Sequence, residues 1–289
     1  MPPTPTIRTE AVAATVNGVI YLIGGFTPQG IAVQVDRLNL ATKVWSRAAP
    51  LPQPLHHTSA SVVNGKIYVI GGFNFGFWMA TATTYEYDPA RDQWQEKQPM
   101  PTARGALAAG VIDEKIYLVG GAHRKLFHLV NTPANEVYDP AKDQWQILKS
   151  IPTARDHLTV STLNGILYAI GGRINVNYND NLKINEAYDP ATDSWVTRKP
   201  MPTARSGITS QVLQGKVFVM GGEAGNGTFK ENEAYDPAVD IWKTMKPMLG
   251  GHHGLGSTVI EDKIHLLTGG PNPGGGGSNI HEVYSLKPF

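Results

Sequence analysis

Six times along this chain a short apolar run meets a pair of small residues, and after five of them a tryptophan follows at a distance that varies. Glycine doublets stand at Gly24-Gly25, Gly71-Gly72, Gly120-Gly121, Gly171-Gly172 and Gly221-Gly222, after Tyr21-Leu22-Ile23, Tyr68-Val69-Ile70, Tyr117-Leu118-Val119, Tyr168-Ala169-Ile170 and Phe218-Val219-Met220. Trp45, Trp94, Trp145, Trp195 and Trp242 follow them. From each tryptophan to the next doublet the count is 26 residues, whereas from doublet to tryptophan it runs 21, 23, 25, 24 and 21. The same step of 26 from Trp242 reaches Thr268, where Thr268-Gly269 follows His265-Leu266-Leu267, so a sixth unit stands with threonine in the first glycine place. A fixed period of this length cannot be a set of independent domains, because one unit is too small to bury a core without its neighbours.

Inside a unit the pattern is all β. Asn17-Gly18, Asn64-Gly65 and Asn164-Gly165 separate two apolar runs, and Asn-Gly supplies the two positive φ angles of a type I′ hairpin turn. Strands a and b therefore form a hairpin. Strand c ends in Glu136-Val137-Tyr138, Glu186-Ala187-Tyr188 or Glu233-Ala234-Tyr235, and Asp139-Pro140 and its equivalents turn the chain into strand d, which carries the tryptophan. Six units of four antiparallel strands predict a six-bladed β-propeller occupying residues 1–289.

The doublet, tyrosine and tryptophan at a period of about fifty residues resemble the kelch repeat, and the resemblance covers the whole chain. It extends to the arginine that opens strand a, at Arg8, Arg104, Arg155 and Arg205, with Leu55 and His252 in that place in units two and six. The resemblance implies a module that binds other proteins. A minority of kelch propellers are similar to enzymes, such as the sialic acid mutarotases and galactose oxidase. Galactose oxidase chemistry needs a cysteine-linked tyrosine and is excluded by the absence of cysteine; a sugar mutarotase is compatible.

Composition removes other classes. Lys plus Arg number 25 against 24 Asp plus Glu, so no global field draws the chain to nucleic acid or an anionic membrane, and neither is an expected partner. The apolar runs are strand length and span no bilayer. The start, Met1-Pro2-Pro3-Thr4, has no basic or apolar segment of a targeting peptide, and the compartment is unread. No phosphate loop, nucleophile elbow or metal-binding helix is present, so no cofactor or metal is expected; a monomer is.

Strand parity puts the b–c and d–a connections on one face, and all length variation falls in the b–c loops, so that face is the expected working surface. Residues that recur in register serve the blade, and those that do not are the candidates for a site. The loop Phe73–Met79 holds Phe77 and Trp78; the third loop holds His123; the fourth holds Arg173 and Tyr178 among asparagines. The opening arginines and His252 would ring the channel mouth and hold a carboxylate. Glu10, His57 and His157 share a register and are the acid–base candidates if the chain is an enzyme. The leading expectation is a non-enzymatic module binding a peptide or protein; the rival is a mutarotase or epimerase acting on a small anionic sugar.

One count concerns closure. Strand d of the sixth unit has no room: the chain ends at Phe289, five residues after Tyr284, where other units need seven to reach the tryptophan. Blade six is expected to have three strands, or an N-terminal segment carrying the fourth, with or without a targeting peptide, has been trimmed.

Overall fold

The computed structural model describes residues 1–75 and 78–286. Blade one contains strands a to d at Val12–Val16, Val19–Ile23, Val35–Asn39 and Val44–Ala48, paired antiparallel in that order. Blades two to five repeat this order. Blade six has three strands, Gly256–Ile260, Lys263–Leu267 and His281–Ser285, as the residue count implied. The architecture is thus an all-β six-bladed propeller. Among the described residues no helix is long and apolar enough to cross a membrane.

The doublets explain how blades meet. A side chain on Gly120 would place Cβ 2.6 Å from the Arg155 carbonyl of the next blade, and its φ of +61 to +65 recurs in the doublets of blades one to four. The second glycine then donates its N–H to that carbonyl: Gly25 to Leu55, Gly72 to Arg104, Gly121 to Arg155, Gly172 to Arg205 and Gly222 to His252, at 2.8–3.1 Å. Gly269 closes the circle by donating to Arg8 at 3.0 Å.

The tryptophans form the outer staple. Trp94, Trp145, Trp195 and Trp242 donate Nε1 to Ala49, Gln98, Lys149 and Lys199 of the preceding blade's outer edge at 2.8–2.9 Å. The aspartate two residues before each accepts a backbone N–H from the same residue and, on the same oxygen, the tyrosine hydroxyl of its own strand c, as with Gln98 and Tyr138 on Asp143. Blade one follows blade six, which has no strand d among the described residues. There Trp45 Nε1 is buried with no partner among the described residues, and Lys43 and Leu38 replace the aspartate and tyrosine.

The opening arginines are part of this framework, which corrects their placement at the channel mouth. Arg8, Arg104, Arg155 and Arg205 are all fully buried. Each pairs with a carboxylate of strand c, respectively Asp36, Glu136, Glu186 and Glu233, and donates to backbone carbonyls of its own blade. Arg155, for example, donates to Gly171, Thr153 and Ala169 at 2.8–2.9 Å. Fully buried and paired inside the blade, these guanidinium groups do not line the cavity mouth.

The b–c connections are more regular than loops. Blades one, two, three and five build small hairpins there, the longest pairing Ala122–Lys125 with His128–Asn131.

Candidate functional site

Three register positions of the repeat converge where the channel opens. Two residues after the opening arginine position stand Glu10, His57, Ala106, His157, Gly207 and Gly254, and their backbones form a closed ring. Each donates its N–H to the carbonyl of the preceding blade's equivalent, from His57 onto Glu10 round to Glu10 onto Gly254, at 2.8–3.3 Å. All six have φ between 52 and 64. Glycine adopts this conformation without penalty, whereas a side chain adds about 1–2 kcal/mol. Ala106 shows that the repeat imposes the bend; Glu10, His57 and His157 are the places where the chain keeps a functional side chain despite it.

One residue earlier stand Thr9, His56, Gly105, Asp156, Ser206 and His253. Each forms an isolated bridge to the residue just past the doublet, which in order is Phe26, Phe73, Ala122, Arg173, Glu223 and Gly270. The side chains of these three positions enclose a cavity of about 660 Å³. Its floor is ionisable, with Glu10, His57, His157, Arg173, Glu223 and His253. Its walls are Phe26, Trp78, Leu129, Val176 and Tyr178, with Gly274 to Gly277 closing one side. Beneath the ring a narrower space of about 190 Å³ continues down the channel past Thr58, Ser59, Thr159 and Ser210.

The floor is fully cross-linked. His253 Nδ1 donates to Glu10 Oε1 at 3.0 Å and stands 3.6 Å from Glu223 Oε2. Glu10 Oε2 lies 3.4 Å from His57 Nε2. His157 Nδ1 is bonded to Asp156, which also accepts from Asn131 at 2.5 Å and from Arg173 Nε at 3.1 Å. Arg173 reaches Glu223 through Nη1 at 2.8 Å and His157 Nε2 through Nη2 at 3.0 Å. A guanidinium can only donate, so the proton of His157 sits on Nδ1 and its Nε2 presents a lone pair. Tyr178 lies over the same guanidinium, 5.8 Å from ring centroid to Cζ.

Burial and charge set the protonation states. Burial would raise the Glu10 carboxyl, but His57, His253 and His157 outweigh it and hold it well below the ordinary range. Burial would likewise depress His253, and the hydrogen bond and field of Glu10, with Glu223 behind, push it up to about 9. His57, with no comparable compensation, is driven well below its ordinary value by burial, and His56 falls to about 4 for the same reason. The floor thus sets the Glu10 and Glu223 carboxylates beside the Arg173 guanidinium and the His253 imidazolium, with Asp156 behind them.

Glu10, His57 and His157 offer ligand atoms within 4.8 Å of one another, the spacing of a cation site. Those atoms are already committed, Glu10 to His253 and His157 Nε2 to Arg173. The three residues lie in one hydrogen-bonded cluster.

The structure therefore brings together Glu10, His57, His157, Arg173, Trp78 and Tyr178 from the sequence candidates. It leaves His123 on the third loop hairpin outside the cavity lining, and Phe77 lies outside the described residues. His252 corresponds to the arginines and bonds Gly250; its neighbour His253 is the one that enters the site. Adjacent His56 and His57 do not point to opposite faces, because φ of 52 at His57 breaks the extended alternation and brings their Nδ1 atoms to 2.6 Å. Phe26 and Glu223 were missed. Their signal is the position just past the doublet, where residue type changes from unit to unit.

A model of the Attractin/LZTR1 β-propeller matches residues 2–229. The chain belongs to that family. Among Attractin/LZTR1-type propellers and their kelch relatives, it is similar to the Kelch-like protein terF of Aspergillus terreus, at 32% identity over 185 residues. That match covers 60% of this chain and 40% of terF. The solved structure of YjhT superposes with a TM-score of 0.87 over 99% of this chain and 97% of its own, at 15% identity, a likeness of fold. The kelch resemblance read from the repeat is thereby established as membership of a propeller family.

Proposed function

We propose that this propeller binds a small uncharged organic molecule in the mouth cavity and moves protons on it, the chemistry of mutarotases and epimerases. The observation that carries the reading is the pairing of an apolar-walled cavity with a floor whose groups hold unlike protonation states. His253 is a cation beside the Glu10 carboxylate, and His157, its tautomer fixed by Asp156, carries at Nε2 a lone pair that accepts from Arg173. In a ring-opening step, a ligand hydroxyl would displace Arg173 Nη2 from His157 Nε2 and give its proton to that nitrogen, while His253 supplies one to the ring oxygen as its carbon–oxygen bond breaks. Reclosure on the other face reverses both transfers, so no redox partner is needed.

An anionic sugar is the less favoured substrate. The four opening arginines are sealed in the blades, and Arg173 is already paired with Asp156 and Glu223. Aromatic walls such as Phe26 and Trp78 suit the flat face of an uncharged ring.

The test is a thermal-shift screen of uncharged reducing sugars and small hydroxyketones, then NMR measurement of interconversion for each compound that binds. Glu10→Gln and His157→Asn should retain binding and lose turnover. The peptide-binding use of the same face, which kelch-type propellers generally favour, predicts the opposite. A peptide that binds with an affinity indifferent to Glu10→Gln, with none of the small compounds bound, would overturn the proposal.

A further inference from the structure

The third loop hairpin carries an apolar tip that the fold does not use. Leu126 and Phe127, at the turn between Ala122–Lys125 and His128–Asn131, are 82% and 84% exposed. The second loop lies against this hairpin through Met79–Ala80 and adds Phe75 and Met79, exposed by 65% and 51%. Two large apolar side chains left almost wholly in water forgo several kcal/mol of transfer free energy, which an apolar partner would recover.

Charge identifies the partner. Lys125 and His128 flank the tip and are exposed, with His123 and Arg124 just behind; Arg124 Nε bonds the Leu126 carbonyl at 3.1 Å and shapes the turn. No acidic residue occurs between Glu114 and Glu136. An apolar tip with a basic collar matches the boundary between acyl chains and anionic headgroups. The hairpin backbone is paired from Ala122 and Asn131 to Lys125 and His128, so shallow insertion buries few unpaired polar groups. The chain's near-zero net charge conceals this feature because the basic run is local.

We infer that the second and third loops dock this face of the propeller on an anionic lipid surface. The loops that form the docking edge also supply Trp78 and Leu129 to the cavity wall, so docking sets the cavity mouth against the headgroup layer. The inference does not depend on the chemistry assigned to the floor.

Co-sedimentation of the whole chain with phosphatidylcholine vesicles, with and without phosphatidylserine, tests it. The chain should pellet with the anionic vesicles and stay in solution with the neutral ones, and added salt should release it. A Leu126→Ser, Phe127→Ser double variant and a Lys125→Glu variant should each lower the partition about tenfold. Both should unfold at the wild-type temperature, because these side chains are exposed. The inference is overturned if the chain pellets with neither vesicle or equally with both. It is also overturned if the variants pellet like the wild type, or if the tip captures a protein while vesicles stay bare.

Discussion

Replacing Arg155 with alanine should unfold the fourth blade instead of emptying a ligand site. The side chain is fully buried and its guanidinium makes four contacts inside one blade, to Glu186 and to the carbonyls of Gly171, Thr153 and Ala169. Removing one partner of a buried ion pair costs about 3–5 kcal/mol, because Glu186 would be left as an uncompensated charge. Each carbonyl that loses its donor adds a further cost of about 1–3 kcal/mol unless water enters the space. A loss of about 4 kcal/mol or more is a large part of the 5–15 kcal/mol that holds a domain of ordinary stability. Blade two supplies the control. There Leu55 takes the arginine place, fully buried, and the carboxylate of Glu86 is held by Lys66 and Tyr68 instead. An Arg155→Leu, Glu186→Leu double variant removes both charges together and should be more stable than Arg155→Ala. Urea unfolding followed by tryptophan fluorescence measures all three. An unchanged midpoint for Arg155→Ala, together with lost ligand binding, would return the arginine to the site and refute the framework argument.

Trp145→Phe should destabilise by about 0.5–1.5 kcal/mol more than Trp45→Phe in the same urea assay, since Trp145 loses a hydrogen bond that Trp45 never makes; equal losses would mean the staple contributes nothing. Trp145→Ala should cost on the order of 3–5 kcal/mol and Trp78→Ala, on the cavity wall, much less. Gly254→Ala would set Cβ 2.4 Å from Glu10 Oε1, so Glu10 should leave His253, and the His253 titration seen by NMR should fall from about 9 toward its ordinary value; an unmoved titration counts against the pairing. Because the folded-state value of His253 is raised, its contribution to stability is complete below pH 6.5 and disappears as pH rises through about 9. Melting temperatures should therefore decline across that interval in the wild type and less so in Glu10→Gln.

Much of the framework is legible because the repeat supplies its own comparison. The step of 26 residues holds since strand d, the next d–a connection and the hairpin have fixed lengths, and that constancy locates the sixth unit at Thr268, whose φ of 60 matches the glycines it replaces. The same counting matches the three strands that blade six has among the described residues. What it does not yield is direction. The opening arginines lie two residues from the site register, yet their side chains turn into the blade while Glu10, His57 and His157 turn into the cavity. His252 and His253 differ by one position and separate in the same way. Linear spacing cannot register this, because the bend that reorients the chain is a backbone φ near 55 that alanine, histidine and glutamate adopt here along with glycine. Glu223 and Phe26 escaped for a different reason: the doublet draws the eye to what recurs, and they occupy the adjacent place where nothing does.

That place and its two partners explain why a symmetric scaffold yields an asymmetric cavity. Every blade contributes the same bridge and the same bent backbone, so position and direction are constant while side-chain type is free. Blades one and two spend these positions mainly on rings, with Phe26, Phe73, His56 and His57 gathered around Trp78 at centroid distances of 4.9–6.3 Å. Blades four to six spend them on charge, linking Asp156, His157, Arg173, Glu223 and His253, with Glu10 from blade one as the junction. Blade three is left nearly blank by Gly105, Ala106 and Ala122, which keeps the two walls apart. A ligand between them can orient in few ways, its apolar face toward blades one and two and its reacting edge toward blades four to six. If that division governs binding, moving charge to the aromatic wall with Phe26→Arg should abolish affinity for an uncharged ligand while leaving the propeller folded, since Phe26 is only partly buried and its backbone bridge to Thr9 remains. Unchanged affinity in that variant would show that the aromatic wall does not receive the ligand.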